Sequence, residues 1–310
     1  MDSVIATAGL TKYYGRQVGI EDLDLDVHGG EVFGFLGPNG AGKTTTIRLL
    51  LGLLRPTRGS ASVLGMALTR HGPAIRARTG YVPGDLALYE RMTGEDLLRY
   101  FGRMRGGVEP AAYRALAARF DLDLGRRVRD LSKGNKQKLG VIQAFMHEPD
   151  LLVLDEPTSG LDPLVQLEFH RLVRETVERG ATVFLSSHVL AEVEQMADRV
   201  GIVSQGRLVV VDSVDGLRAR ARRRIELDFP DGVPPGLRDV EGVLDVDVRG
   251  GTATCWVTGP LTALLAVAVA HGVVDLHTHD PDLEDAFLGY VEKGVPAQRR
   301  RSRARAASSA

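Results

Sequence analysis

The chain has 310 residues, 25% charged and 44% hydrophobic, a composition that supports a sizeable folded core, and its length suggests two domains. Lys plus Arg number 39 against 40 Asp plus Glu, so no general attraction to a polyanion is expected. No run reaches the ~20 apolar residues that cross a bilayer. The nearest, LTALLAVAVAHGVV (261–274), is interrupted by His271 and Gly272, and Met1–Gly9 has neither the basic start nor the apolar run of a secretion signal.

Residues 4–36 read as β-rich, with alternation in IEDLDLDV (20–27) and a buried run in EVFGFLG (31–37). That run passes directly into GPNGAGKT (37–44), which fits G-x-x-x-x-G-K-[ST], and then into an apolar-periodic helix over 43–54. Strand, glycine-rich turn and helix are what a phosphate cradle needs. Gly37, Gly40 and Gly42 let backbone N–H groups face phosphate oxygens, and the helix N-terminus favours an anion. Lys43 is expected to reach the β- and γ-phosphates and the Thr44 hydroxyl to bind Mg²⁺. Pro38, Asn39, Ala41 and Thr45 complete the ATP-binding segment.

Strands are predicted at 61–64 and 79–82 and helical periodicity over 93–120. Leu97, Leu98, Phe101, Ala115, Leu116 and Phe120 are the inward positions. LSKGNKQKLG (131–140) then opens a helix over 134–147. Ser132 is a candidate N-cap, Lys133, Lys136 and Lys138 face solvent, and Gly134 in the first turn is the oddity.

LLVLDEP (151–157) is an apolar strand ending in two carboxylates. Asp155 is placed to hold Mg²⁺. Glu156 points elsewhere, because strand side chains alternate, and is the candidate to orient or deprotonate a water. In TSGLDP (158–163), Asp162 precedes Pro163 at the start of a helix over 163–179, a capping arrangement. A strand at 181–187 ends in SSH (186–188). This puts His188 where open α/β sheets bind ligands, with the γ-phosphate as its candidate contact. A helix at 189–197 and a strand at 199–205 follow. Strands apolar throughout, alternating with helices, predict a parallel sheet covered on both faces.

GLRARARRR (216–224) reads as a basic linker. Residues 225–293 follow a βαββαβ order, the ferredoxin-like signature, built from RIELDF, PPGLRDV, VLDVDV, TATCWV, LTALLAVAVA, VVDLHTH and LEDAFLGYV. The single cysteine, Cys255, lies in a predicted strand. It reads as a packed core thiol in a reducing compartment. His277 and His279 share one strand face, but Asp280 is the only carboxylate nearby, so solvent-facing residues rather than a metal site are expected. The segment 294–310 holds five arginines among small residues and is expected to be disordered; without those five, residues 1–298 carry 34 basic and 40 acidic residues, net −6.

In this order the motifs resemble those of the ATP-binding cassette (ABC) ATPases, over about residues 4–215. LTKYYG (10–15) looks like the adenine-stacking segment, with Tyr14 as the aromatic and Tyr13 as its alternative. LSKGNKQ (131–137) occupies the slot of the LSGGQ signature, with Lys133 and Asn135 replacing the usual residues and Ser132 and Gly134 kept. DEP supplies Asp155 and Glu156, SGLD supplies Asp162 as the D-loop, and SSH supplies His188. The Q-loop position in YVPGDLALYE (81–90) is Gly84, which has no side chain to reach a metal or water, and Asp85 is next to it.

The resemblance implies an α/β P-loop NTPase cassette, with a parallel-sheet core and antiparallel β and α-helical subdomains. It would span 1–215, with a linker at 216–224, a small ferredoxin-like α+β domain at 225–293 and a tail at 294–310. It further implies ATP and Mg²⁺ as ligands, Glu156 and His188 as catalytic groups, and a head-to-tail pair of copies. In that pair Ser132, Lys133, Gly134 and Asn135 meet ATP held by the other copy. The expected role is ATP hydrolysis driving export of a drug- or antibiotic-like small molecule through a separate permease, whose docking surface includes ALYERMTGEDLL (87–98). The chain would lie on the cytoplasmic face of the cell membrane, touching it through the permease, with no nucleic-acid partner. The rivals are the energising subunit of an importer and a non-transport ABC ATPase that uses ATP as a clamp.

Overall fold

The computed structural model describes residues 2–220 and 223–279. Two compact units divide between Val211 and Asp212.

The first unit opens with strands β1 (Ser3–Tyr14), β2 (Gln17–Leu23), β3 (Asp26–His28) and β4 (Val32–Leu36). Strand β1 pairs antiparallel with both β2 and β3, and Tyr14 faces Gln17 across the first hairpin. With β5 (Arg58–Val63) and β6 (Met66–Ala67) these strands form the antiparallel sheet, in the order β2-β1-β5-β6. Strand β4 belongs elsewhere. All five of its residues are buried, as its unbroken apolar sequence requires for a strand covered on both faces.

Helix α1 (Lys43–Leu50) follows β4 and stops earlier than the expected 43–54, where Gly52 adopts a left-handed φ of 66°. Helix α2 (Leu68–Ala77) has no counterpart in the sequence reading. It carries Pro73 and a non-helical residue, His71, which break the periodicity that marks a helix. After β7 (Thr79–Val82), the expected helical run 93–120 divides into α3 (Gly94–Met104) and α4 (Pro110–Arg119), with left-handed Gly106 and Gly107 between them. Leu97, Leu98 and Phe120 are buried as expected, but Ala115 is exposed. The break resets the helical phase, and Tyr113 and Ala117 take the inward positions of α4.

Helix α5 (Lys133–Phe145), β8 (Leu151–Asp155), α6 (Pro163–Glu178), β9 (Thr182–Ser187), α7 (Leu190–Met196), β10 (Arg199–Ser204) and β11 (Arg207–Ser213) follow. The second sheet has the order β11-β10-β4-β9-β8-β7. Strands β10, β4, β9, β8 and β7 are parallel neighbours. Strand β9 lies between β4 and β8, so residues following three adjacent strands converge at one sheet edge.

In the second unit, α8 (Val214–Arg220) occupies part of the stretch expected as a linker, and β12 begins at Arg223. Strands β12 (Arg223–Asp228), β13 (Val243–Arg249), β14 (Thr252–Val257) and β15 (Asp275–His279) form an antiparallel sheet in the order β13-β14-β12-β15. That is the strand order of the ferredoxin-like fold. The expected helix in PPGLRDV is a single 3₁₀ turn, Leu237–Asp239, preceded by left-handed Gly236. Helix α9 (Thr262–Ala270) buries Leu264 and Ala268, and the core includes Ile225, Leu227, Val246 and Cys255. Burial pushes the Cys255 thiol up to about 11, so it packs as a neutral group. His277 is 3.4 Å from Asp275, and His279 is 3.9 Å from Glu226 on neighbouring β12. Asp280, the predicted helix 283–291 and the arginine-rich tail lie outside the described residues.

Candidate functional site

The loop 37–42 joins β4 to α1, with Ala41 N–H donating to the Pro38 carbonyl at 3.1 Å. Gly42 caps α1 with φ 109°, and a Cβ there would sit 2.7 Å from the Gly19 carbonyl oxygen, so both conformation and space demand glycine. Lys43 is only 7% exposed, and its ammonium donates to the Gly37 carbonyl at 2.6 Å. Burial lowers its pKa, and the negative charges of Glu156 and Asp155 oppose that shift.

Asp155 ends β8 fully buried, and both of its oxygens are engaged. Thr44 donates its hydroxyl to Oδ2 at 2.9 Å, and Ser186 donates to Oδ1. A hydroxyl and a carboxylate in contact, both hard oxygen donors at a phosphate loop, fit a Mg²⁺ that takes its remaining ligands from phosphate and water. Among the described residues there is no cluster of three or more His, Cys, Asp or Glu that could hold a metal by itself.

Glu156 is the next residue and turns out of the strand with φ 51°. A non-glycine residue there costs about 1–3 kcal/mol and persists only where its surroundings over-determine it. Here its N–H donates to the Ser186 carbonyl at 3.0 Å and its own carbonyl accepts from Ser159 N–H at 3.2 Å. The strained turn points the carboxylate at the Lys43 ammonium and the His188 ring. Oε1 lies 3.7 Å from Lys43 Nζ and Oε2 lies 2.7 Å from His188 Nδ1. His188 itself remains 53% exposed.

Lys43, Thr44, Asp155 and Glu156 border an open cleft of about 550 Å³, and His188 stands outside its lining, reaching it through Glu156. Of the sequence-predicted residues, Tyr14, Pro38, Asn39, Gly40, Gly42, Lys43, Thr44, Thr45, Asp155 and Glu156 line it, as do Gly84 and Asp85. Gly37 and Ala41 stand behind the lining. Gly37 accepts from Lys43, and Ala41 is buried with its N–H on the Pro38 carbonyl. Tyr14 is 46% exposed, and its ring packs over Gly19, where a Cβ would come within 2.8 Å of it. Tyr13 instead donates its hydroxyl to Glu21 at 2.5 Å, so of the two tyrosines Tyr14 is the one available to a ligand.

Sequence reasoning missed Gln17, Val18, Gly19, Arg48 and Tyr81 in the lining. Gln17 was detectable as the hairpin partner of Tyr14. Tyr81 and Arg48 come from separate elements, and no local pattern links them. Burial and the charge of Asp155 raise the Tyr81 pKa.

The signature residues lie apart from this lining. Ser132 caps α5 by accepting from Asn135 N–H at 3.2 Å, which leaves its own O–H free to donate. Gly134 lies against the 158–162 loop: a Cβ would sit 2.8 Å from the Gly160 carbonyl oxygen. That contact explains a glycine inside a first helical turn. The aliphatic stem of Lys133 flanks Gly160, and buried Gln137 donates to the Pro157 carbonyl at 2.8 Å. Asp162 caps α6 by accepting from Val165 N–H at 3.0 Å.

The ABC transporter family profile matches residues 20–159. Over 234 residues the chain is 38% identical to the bacitracin transport ATP-binding protein BcrA of Bacillus licheniformis, covering 74% of this chain and 76% of that one. The chain belongs to the ABC transporter family. It is likewise 38% identical over 303 residues to the daunorubicin resistance ATP-binding protein DrrA3 of Streptomyces coeruleorubidus, covering 93% and 95% of the two chains. A solved ATP-binding subunit of an ABC transporter superposes with a TM-score of 0.65 at 35% identity, over 70% of this chain and 92% of that one. As a member of this family the chain is a nucleotide-binding ATPase. No helix among the described residues is long and apolar enough to cross a membrane.

Proposed function

We propose that this chain is the ATP-hydrolysing subunit of an exporter for a drug- or antibiotic-like small molecule, working with a separately encoded membrane permease. The observation that carries the reading is the 2.7 Å contact of Glu156 with His188, beside Lys43 and the Thr44–Asp155 pair. Its likeness to antibiotic-transport and drug-resistance subunits supports the export direction, and one of them extends over most of the C-terminal unit as well.

In this reading the adenine lies on the Tyr14 ring and the phosphates lie in the turn 37–44, where Lys43 and the backbone N–H groups oppose their charge. Thr44 and Asp155 would hold Mg²⁺, which when bound supplies charge neutralisation to the phosphate oxygens. Glu156 Oε1 faces the Lys43 side of the cleft, so that carboxylate orients the attacking water and accepts its proton. His188 donates Nδ1–H to ionised Glu156, fixing which carboxylate oxygen stays free for the water.

A second copy completes the site with Ser132, Lys133, Gly134 and Asn135 over the nucleotide. The capped N-terminus of α5 supports this, with bare backbone at Gly134 suited to an anion. The permease docks on the helical subdomain, where exposed Tyr89 meets Tyr100 edge-on at 5.8 Å between ring centroids. In this reading the chain works at the cytoplasmic face of the membrane.

The test is efflux of a labelled hydrophobic antibiotic from cells expressing the chain with its permease. Efflux that disappears with Lys43→Ala supports the reading. Lys43-dependent uptake would reassign the chain to an importer, and transport indifferent to Lys43 would overturn the proposal.

A further inference from the structure

We propose that Glu192 is a positioning residue for hydrolysis, holding the Glu156 loop and the His188 loop together. The inference rests on the reading of Glu156 and His188 as the hydrolytic pair. Neither the motif set nor the cleft lining includes Glu192; it lies in the first turn of α7, half-buried.

Its Oε2 accepts from the Thr158 hydroxyl at 2.7 Å and from the Ser187 hydroxyl at 3.4 Å. Both hydroxyl residues are buried. Thr158 is two residues beyond Glu156, and Ser187 immediately precedes His188. A closed circuit results: Glu156 to Thr158 by chain, Thr158 to Glu192 to Ser187 by hydrogen bonds, Ser187 to His188 by chain, and His188 back to Glu156 at 2.7 Å. Ser187 also accepts from Val189 N–H at 2.9 Å, which fixes the far side of His188.

A glutamate in a first helical turn has an ordinary explanation, the favourable field of the helix N-terminus. That explanation requires neither buried hydroxyl to meet the carboxylate, and here both do, one from the loop after β8 and one from the last residue of β9. Glu156 also needs outside support, since it sits in a left-handed conformation that its own backbone disfavours. Catalytic geometry is intolerant of slack: a displacement of about 1 Å can cost on the order of 100-fold in rate. Glu192, Thr158 and Ser187 lie outside the phosphate cradle and away from Tyr14, and the circuit meets the cradle where Glu156 lies 3.7 Å from Lys43, so its loss should appear in the chemical step far more than in nucleotide affinity.

The experiment is steady-state MgATP hydrolysis and thermal melting of the full chain. Glu192→Ala is expected to lower kcat about tenfold or more with the KM for ATP within about twofold. Glu192→Gln keeps an oxygen that can accept from Thr158 and should restore kcat to within about threefold of the unsubstituted chain. If Glu192→Ala does not fold, Thr158→Val removes the same link at nearly constant volume and should give the same split. Unchanged kcat in these variants overturns the proposal. So does a Gln variant as slow as the Ala variant, or losses in which KM and melting temperature move with kcat. A parallel Glu156→Gln separates the two levels. If it hydrolyses ATP normally, the pair itself is misassigned and this inference falls with it. If it is inactive while the Glu192 variants are normal, only this inference falls.

Discussion

His188 Nδ1 and Glu156 Oε2 meet at 2.7 Å, although 32 residues separate them in sequence. The parallel pairing of β8 with β9 makes the contact, because Asp155 and Ser186 are in register and the strands end at Asp155 and Ser187, so Glu156 and His188 each follow directly on a strand end. Glu156→Gln keeps the shape but cannot take a proton. Hydrolysis is expected to fall by about 100-fold or more, with ATP still bound. In MgATP this variant should accumulate as a dimer by light scattering. A monomer would count against closure of two copies over ATP, and undiminished hydrolysis would remove Glu156 from the reaction.

Gly134 and Gly160 give a second test. Alanine is the better helix former, so propensity alone predicts that Gly134→Ala stabilises α5. The added Cβ would sit 2.8 Å from the Gly160 carbonyl oxygen, which cannot move without shifting the loop that leads to Asp162. Overpacking of this kind typically costs about 1–3 kcal/mol. The expected outcome is a lower melting temperature and slower hydrolysis. A raised melting temperature with full activity would mean that the contact is loose.

What the sequence revealed and what it hid follow from the range of the signals. The cradle at 37–44, the carboxylates at 155 and 156 and His188 sit in short contiguous patterns, and each lands at the end of a strand the apolar runs had marked. Tyr81 and Arg48 reach the same cleft from different elements, and Glu192 meets Thr158 from a helix 34 residues away in sequence. Only the assembled sheet brings these together. Helix α2 escaped because Pro73 and His71 spoil its period, and Ala115 was misassigned because Gly106 and Gly107 reset the phase of the helix after them.

Gly84 occupies the position that the motif order assigns to the Q-loop. Its backbone lies against Asp155, and a Cβ would come 3.2 Å from Oδ2. Its φ is outside the left-handed region, so a side chain strains nothing in the backbone. Asp155 must yield by a few tenths of an ångström. Gly84→Gln is therefore expected to keep ATPase activity to within about threefold, the small cost of one tight contact. Abolished hydrolysis in a protein that melts normally would show that the Thr44–Asp155 contact tolerates no such displacement.

The two tyrosines ending β1 should separate cleanly. Tyr14→Ala removes the exposed ring beside Gly19 and is expected to raise the KM for ATP roughly tenfold, the loss of one base–aromatic stack. Tyr13→Phe removes the hydroxyl bonded to Glu21 and should leave KM alone while lowering the melting temperature slightly. The reverse pattern in nucleotide titrations and melts would exchange the assignments.

His147 predicts how stability responds to acid. Arg105 donates to its Nε2 at 2.7 Å, so that nitrogen must stay unprotonated, and Nδ1 has no hydrogen-bond partner. Burial first, and the Arg105 charge second, lower its pKa from 6.5 to about 4. In the unfolded chain the imidazole protonates near 6.5, and in the folded chain it does not until about pH 4. The unfolded state therefore binds more protons across that window, and stability falls as pH drops through it. The loss from this group is on the order of 2 kcal/mol by pH 4.5. His147→Gln retains an oxygen to accept from Arg105 but does not titrate. Its melting temperature should decline less between pH 7 and 4.5 than that of the unsubstituted chain. Identical pH profiles for the two proteins would show that His147 is protonated in the fold, with the Arg105 contact broken.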